Sequence, residues 1–131
     1  MQTSKWIIGA GFAAVAAVAS NAQTPAFTRT PVQQQDLPSL PGREVVVARV
    51  EFVPGGAIGK HTHPGEEIGY VVEGSLELLV EGQPAKTVKA GEGFVVPAGT
   101  VHEGKAVGSA KTVVLATYVI EKGKPVATMV K

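Results

Sequence analysis

The sequence predicts an all-β domain, built as a sandwich or a barrel, that begins near Glu44. Three observations support this prediction. From Glu44 onward the chain consists of short runs rich in β-branched residues, glycine and proline separate these runs, and no stretch has a helical period long enough to compete. Short strands at this spacing are typical of sandwiches and barrels.

Eight segments are predicted as strands. They are Glu44–Val53, Ile58–His63, Glu67–Val72, Ser75–Glu81, Ala85–Val88, Gly93–Val96, His102–Val107 and Lys111–Glu121. Turn residues fill the gaps, at Gly55-Gly56, Pro64-Gly65, Gly82-Gln83-Pro84, Ala90-Gly91 and Pro97-Ala98-Gly99. For a chain of 131 residues we expect one such core and no second domain.

Residues 1–22 are predicted to be a signal peptide. Lys5 gives a positive start, Trp6–Ala19 an apolar stretch, and Ser20-Asn21-Ala22 the small residues that a signal peptidase reads. We expect cleavage after Ala22, with Ala19 as a second possible site. An uncleaved anchor is the alternative, but the apolar run is shorter than the roughly 20 residues that a spanning helix needs. The product is therefore expected to be exported, periplasmic or secreted, and free of the membrane.

Residues 23–42 are predicted to be an arm or linker, and residues 43–131 the β-barrel domain. The arm contains four prolines and the run Gln33-Gln34-Gln35, a composition that cannot bury enough apolar surface for a core of its own. No strand is predicted there.

Charge and cysteine content exclude several functional classes. The 12 basic residues nearly balance the 11 acidic ones, so no basic field exists to attract phosphates, and nucleic acid is not expected as a partner. The chain has no cysteine, which excludes disulfides, thiolate metal sites and cysteine nucleophiles. Any chemistry must come from other side chains or from a bound cofactor.

The three histidines are the main candidates for chemistry. His61 and His63 are two residues apart, so on a strand their side chains project from one face, about 6.6 Å apart, and can turn toward one ion. One of the two glutamates Glu66 and Glu67, which follow a Pro-Gly turn, faces the same side. His102 follows a second tight turn and on its own indicates little.

The spacing of these residues resembles the two sequence motifs of the cupin family. The matching residues are Gly55, His61, His63, Glu67 and Gly74 in the first motif, and Gly91, Pro97, Ala98, Gly99 and His102 in the second. The interval between the motifs is short, as in small bacterial single-domain cupins, and the resemblance covers roughly residues 44–121. One departure is Ala106, which stands where the second motif usually ends in asparagine.

The resemblance implies a double-stranded β-helix, or jelly-roll, barrel that holds one divalent transition metal. It implies His61, His63, Glu67 and His102 as ligands, with Glu67 rather than Glu66 as the carboxylate. Three imidazoles and one carboxylate suit Fe, Mn, Ni, Cu or Zn, whereas Ca and Mg prefer oxygen ligands. Four protein ligands leave room on the ion for a substrate.

Strand alternation predicts that the other polar residues near the motifs point outward. These residues are Lys60, Thr62, Glu66, Tyr70 and Glu103. No second acid, base or nucleophile is therefore expected in the site, and the metal must carry the reaction.

The expected function is that of a metal-dependent small-molecule oxygenase resembling quercetin-dioxygenase-like cupins, with Glu67 as the catalytic proton acceptor. One alternative is a metal-dependent isomerase or lyase acting on sugars or oxo acids. Another is a non-catalytic protein that binds a metal or a small ligand. Because cupin barrels commonly pair through sheet edges, we also expect a homodimer in which the arm and the strand at Glu44–Val53 add to a neighbour's sheet.

Overall fold

A computed structural model describes residues 23–131, which form ten β-strands and no helix. The strands are β1 (Phe27–Asp36), β2 (Arg43–Phe52), β3 (Ala57–Thr62), β4 (Gly65–Glu73), β5 (Ser75–Val80), β6 (Lys86–Lys89), β7 (Gly93–Val96), β8 (His102–Ala106), β9 (Thr112–Glu121) and β10 (Thr128–Met129). The prediction of an all-β fold is confirmed. Within this range, no helix could cross a membrane.

The strands form two five-stranded antiparallel sheets. Their orders are β1-β2-β9-β4-β7 in the first sheet and β10-β3-β8-β5-β6 in the second. Strands distant in sequence are neighbours in both sheets, as in a jelly roll. The core lies between the sheets and is filled mainly by alternating residues of the longer strands; on β2, for example, Val46, Ala48, Val50 and Phe52 are buried.

Each of the eight predicted strands is present, and its ends lie within two residues of the predicted ones. Two strands were not predicted. The first is the short β10, which pairs with β3 through Thr128 and Met129. The second is β1, in the segment predicted as an arm or linker.

The arm is thus part of the barrel's own first sheet. β1 pairs antiparallel with β2, and the rings of Phe27 and Phe52 lie 5.8 Å apart between centroids. A register shift between Pro31 and Gln33 accommodates the proline, which an edge strand tolerates because its N–H side need not pair. The edge of β2 is therefore covered by its own chain, not by a neighbour. Homodimer formation stays a prediction, and the signal peptide lies outside the described residues.

A glycine on β4 makes room for the core. A Cβ atom at Gly69 would overlap the ring of Phe94, closer than atoms can approach. Gly69 and Phe94 face each other in the register between β4 and β7. The absent side chain lets the ring lie flat over β4 at the wall of the cavity described below.

Candidate metal centre

The four residues predicted as ligands come together in the interior. His61 lies on β3, His63 directly after it, Glu67 on β4 and His102 at the start of β8. One donor atom from each lies within 4.8 Å of the others, and each residue is at most 8% exposed. His61 and His102 are direct register partners of β3 and β8, which explains how residues 41 positions apart meet.

The flanking polar residues follow the predicted alternation. Lys60, Glu66 and Tyr70 are exposed, and Thr62 and Glu103 are partly exposed. Glu67, not Glu66, therefore faces the histidines. Ala106, the departure from the second motif, is 1% exposed and packs in the apolar core.

Each histidine ring is oriented by a backbone carbonyl. The Nδ1 atoms of the three rings donate to carbonyl oxygens, with distances of 2.7 Å from His61 to Gly59, 2.5 Å from His63 to Val126 and 2.9 Å from His102 to Thr100. A neutral ring that donates from Nδ1 carries its free lone pair on Nε2. All three imidazoles are thus in the tautomer that can bind an ion through Nε2.

A cation fits the centre of this group. Oε2 of Glu67 lies 2.9 Å from Nε2 of His63 and 3.0 Å from Nε2 of His102, so acceptor atoms face each other across a buried space. Acceptors this close require a proton or a cation between them. Three imidazole nitrogens and one carboxylate oxygen are a donor set that suits a divalent transition metal.

The ionisation states also suit metal binding. Burial, together with the neighbouring imidazoles, lowers the pKa of His61 to about 4. Burial alone would raise the pKa of Glu67, but the imidazoles of His102 and His63 beside its carboxylate outweigh this effect and hold the pKa at about 2. At neutral pH His61 is therefore neutral and Glu67 ionised, the forms in which both residues bind metals.

A small cavity lies beside the four donors. Its volume is about 30 Å³, room for about two water molecules. Most of the lining is apolar, and it includes Phe52, Ile58, Leu76, Leu78, Phe94 and Val114. The polar lining consists of His61, Glu67, His102, Tyr118 and Arg29. This arrangement can hold a few-atom ligand between the donors and a guanidinium.

Sequence reasoning missed Arg29 and Tyr118. Tyr118 is 1% exposed, and its ring lies 4.7 Å from that of His63. Burial and the charge of Glu67 raise the pKa of Tyr118 to about 12, so it stays a neutral phenol. Arg29 lies on β1, and the alternation of Phe27 and Arg29 with the β-branched Thr28 and Thr30 was the only signal that could have revealed it.

Comparison with known proteins agrees with this fold. Residues 48–118, more than half of the chain, match the family described as cupin domain. A germin-like protein 1-1 of Oryza sativa subsp. japonica is 36% identical over 104 residues, 75% of this chain and 48% of that protein. Oxalate oxidase 2 of Hordeum vulgare is 34% identical over 102 residues, 70% of this chain and 45% of that protein.

Solved structures give the same result. An oxalate oxidase in complex with the substrate analogue glycolate has a TM-score of 0.65 and 28% sequence identity, over 83% of this chain and 57% of that one. A protein of Thermus thermophilus shares the fold with a TM-score of 0.60 and 22% identity, over 72% of this chain and 83% of that one. The chain spans about half the length of the curated relatives it matches. From its sequence motifs, its two sheets and this match, the chain belongs to the cupin domain family.

Proposed function

We propose that the chain binds one divalent transition metal through His61, His63, Glu67 and His102 and acts as a metal-dependent oxidoreductase on a small carboxylic acid. The observation that carries this proposal is the convergence of three Nε2 atoms and one carboxylate in a buried group. The carbonyls that orient the rings make this geometry independent of the ion.

A bound transition metal would supply Lewis-acid or redox chemistry at this position. The protein itself would hold the donor atoms, exclude water through the apolar lining of the cavity, and accept a proton from the substrate. Glu67 is our candidate proton acceptor. Its pKa of about 2 makes it a weak base while its carboxylate lies beside the imidazoles of His63 and His102, so a ligand must first move the carboxylate away from one of these rings.

Two observations favour a small acid over a large aromatic substrate. The cavity of about 30 Å³ suits a ligand of few atoms and not a flavonoid such as quercetin. Relatives named oxalate oxidase, and a relative's structure with glycolate, support a two-carbon acid. We therefore prefer this class to the quercetin-dioxygenase-like activity that the sequence motifs suggested. From the pattern of residues 1–22 we propose that the protein acts after export.

The test is metal analysis followed by oxygen uptake. Protein purified from its native compartment is analysed for bound metals, and oxygen consumption is then recorded with oxalate and with glycolate. We expect one transition metal per chain and oxygen uptake with at least one acid. Turnover that is equally fast without oxygen would instead indicate the isomerase or lyase alternative.

A non-catalytic binding protein is the second candidate. One relative is named rhicadhesin receptor, from Pisum sativum, and is 37% identical over 89 residues. In the assay above, such a protein would hold metal and turn over neither acid under either atmosphere.

A further inference from the structure

Arg29 is a cationic side chain from β1 that reaches the cavity beside the four donors. It lines that cavity together with His61, Glu67 and His102. Its Nε donates to the phenol oxygen of Tyr118 at 3.2 Å, and its guanidinium lies 5.5 Å from the centre of the Tyr118 ring. The guanidinium is thus held at a defined position, half-buried and stacked on an aromatic ring.

The sheet register explains how Arg29 reaches so far. Arg29 pairs with Val50, whereas Tyr118 pairs with Val46, which comes four residues before Val50 on β2. Between these rows lie Ala48 and Ala116, which are register partners and fully buried. Their short side chains leave space above the sheet, and the long arginine side chain extends across it.

The guanidinium of Arg29 faces aromatic rings but no carboxylate within the described part of the chain. No carboxylate among residues 23–131 forms an ion pair with Arg29, and its only hydrogen bond there is the one from Nε to Tyr118. By contrast, Arg49 pairs with Glu51 and Arg43 donates to the Pro64 carbonyl. The two Nη groups of Arg29 remain as a fork of donors of the shape that matches a carboxylate.

We propose that Arg29 binds a carboxylate group of the ligand and so makes this cupin selective for small carboxylic acids. This inference rests on the proposed function, in which the other end of the ligand would lie at His61, Glu67 and His102. Tyr118 is a positioning residue, because it holds Arg29 through the Nε bond. The apolar lining strengthens the ion pair by excluding water from it.

The test is anion binding by the full-length mature protein, with glycolate and oxalate as probes and neutral ethylene glycol as a comparison. Dissociation constants are measured by calorimetry on metal-loaded protein, for the wild type, Arg29→Gln and Arg29→Lys. Arg49→Gln is the matched control, since it also removes one arginine charge but lies outside the cavity. Metal content and thermal unfolding are recorded for every variant.

We expect Arg29→Gln to weaken binding of both anions at least about tenfold, the size of a lost hydrogen bond to a charged group. Arg29→Lys should fall between it and the wild type, because lysine keeps the charge and loses the fork. Ethylene glycol should bind at least about tenfold more weakly than glycolate, and Arg49→Gln should bind all three probes as the wild type does. Unchanged anion affinity in a folded, metal-containing Arg29→Gln protein would overturn the proposal.

A second measurement separates this inference from the proposed function. If the wild type takes up no metal, the proposed function fails, and the chelator-treated protein is titrated with glycolate while the guanidinium resonances of Arg29 are followed by NMR. A shift of these resonances that is absent with ethylene glycol supports the role of Arg29. The absence of any shift refutes it.

Discussion

The ring of His63 is held by the far end of the chain: its Nδ1 donates to the carbonyl oxygen of Val126, 2.5 Å away. Val126 precedes β10, whose residues Thr128 and Met129 pair with β3. The C-terminal segment therefore closes the second sheet and orients a candidate metal ligand at the same time.

Removing this carbonyl should weaken metal binding. A chain that ends at Lys124 lacks Val126, whereas a chain that ends at Thr128 keeps it and loses only the last three residues. Because outer hydrogen bonds to metal-binding histidines typically contribute about 10–100-fold in affinity, we expect this loss for the shorter chain only. Competition with a chromogenic chelator measures it. Equal affinities for the two chains would show that His63 needs no partner.

The choice of Glu67 over Glu66 can be tested by paired substitutions. His63→Ala and Glu67→Ala each remove a donor from the buried group, and we expect metal affinity to fall by more than roughly 100-fold, beyond the usual effect of an outer partner. Glu66→Ala removes an exposed side chain and should leave the metal content unchanged. Elemental analysis of the purified variants measures the bound metal. Metal loss in Glu66→Ala but not in Glu67→Ala would show that Glu66 is the ligand.

Tyr118→Phe should separate orientation from charge. It removes the oxygen that accepts the Arg29 Nε bond but keeps the guanidinium and its charge in the protein. We expect weaker glycolate binding than in the wild type, and a smaller loss than in Arg29→Gln. In a protein that already carries Arg29→Gln, Tyr118→Phe should cause no further loss of glycolate affinity, because its effect acts through Arg29. Fully additive losses in the double-mutant cycle would mean that Tyr118 contacts the ligand by itself.

Gly69→Ala tests the packing beside the cavity. The new methyl group would overlap the ring of Phe94, and overpacking of this kind costs about 1–3 kcal/mol in free energy of unfolding. Gly59→Ala is the control, because its methyl group would meet only the end of Met129, at 3.6 Å. Urea unfolding should show the loss for Gly69→Ala and its partial recovery when Phe94→Leu is added. Equal stability of the two glycine variants would contradict the contact.

The metal-free protein should lose stability continuously as the pH falls, first through His61 and then through Glu67. The pKa of His61 falls from 6.5 to about 4 on folding, and that of Glu67 from 4.5 to about 2, so the unfolded chain takes up each proton first. At a pH above its unfolded pKa, each group therefore contributes on the order of 3 kcal/mol to the free energy of unfolding. This contribution is lost as the pH falls to the folded pKa. Urea midpoints measured between pH 7 and pH 3 should decrease continuously, whereas a constant midpoint would contradict both shifts.

Most strands could be predicted because their signals are local, and all four donors because their spacing resembles the two cupin motifs. Period-two alternation with glycine and proline between the runs places each strand, and the pleat puts His61 and His63 on one face, whereas Glu67 and His102 were assigned only through the resemblance. β1 was missed because its prolines and glutamines indicate an arm, and an edge strand tolerates both. Arg29 was missed with it, and the carbonyl of Val126 could not be found, since backbone groups carry no sequence signal.

Both ends of the described chain contribute to the site: Arg29, near the start, lines the cavity, and the carbonyl of Val126, near the end, orients His63. During synthesis or translocation the order in which these parts appear is fixed. Arg29 is made before the four donors, whereas the carbonyl that orients His63 follows them in the sequence, at Val126. We therefore expect the ion to bind after β10 has paired with β3, so the metal that the site acquires should be one that is available where this pairing takes place.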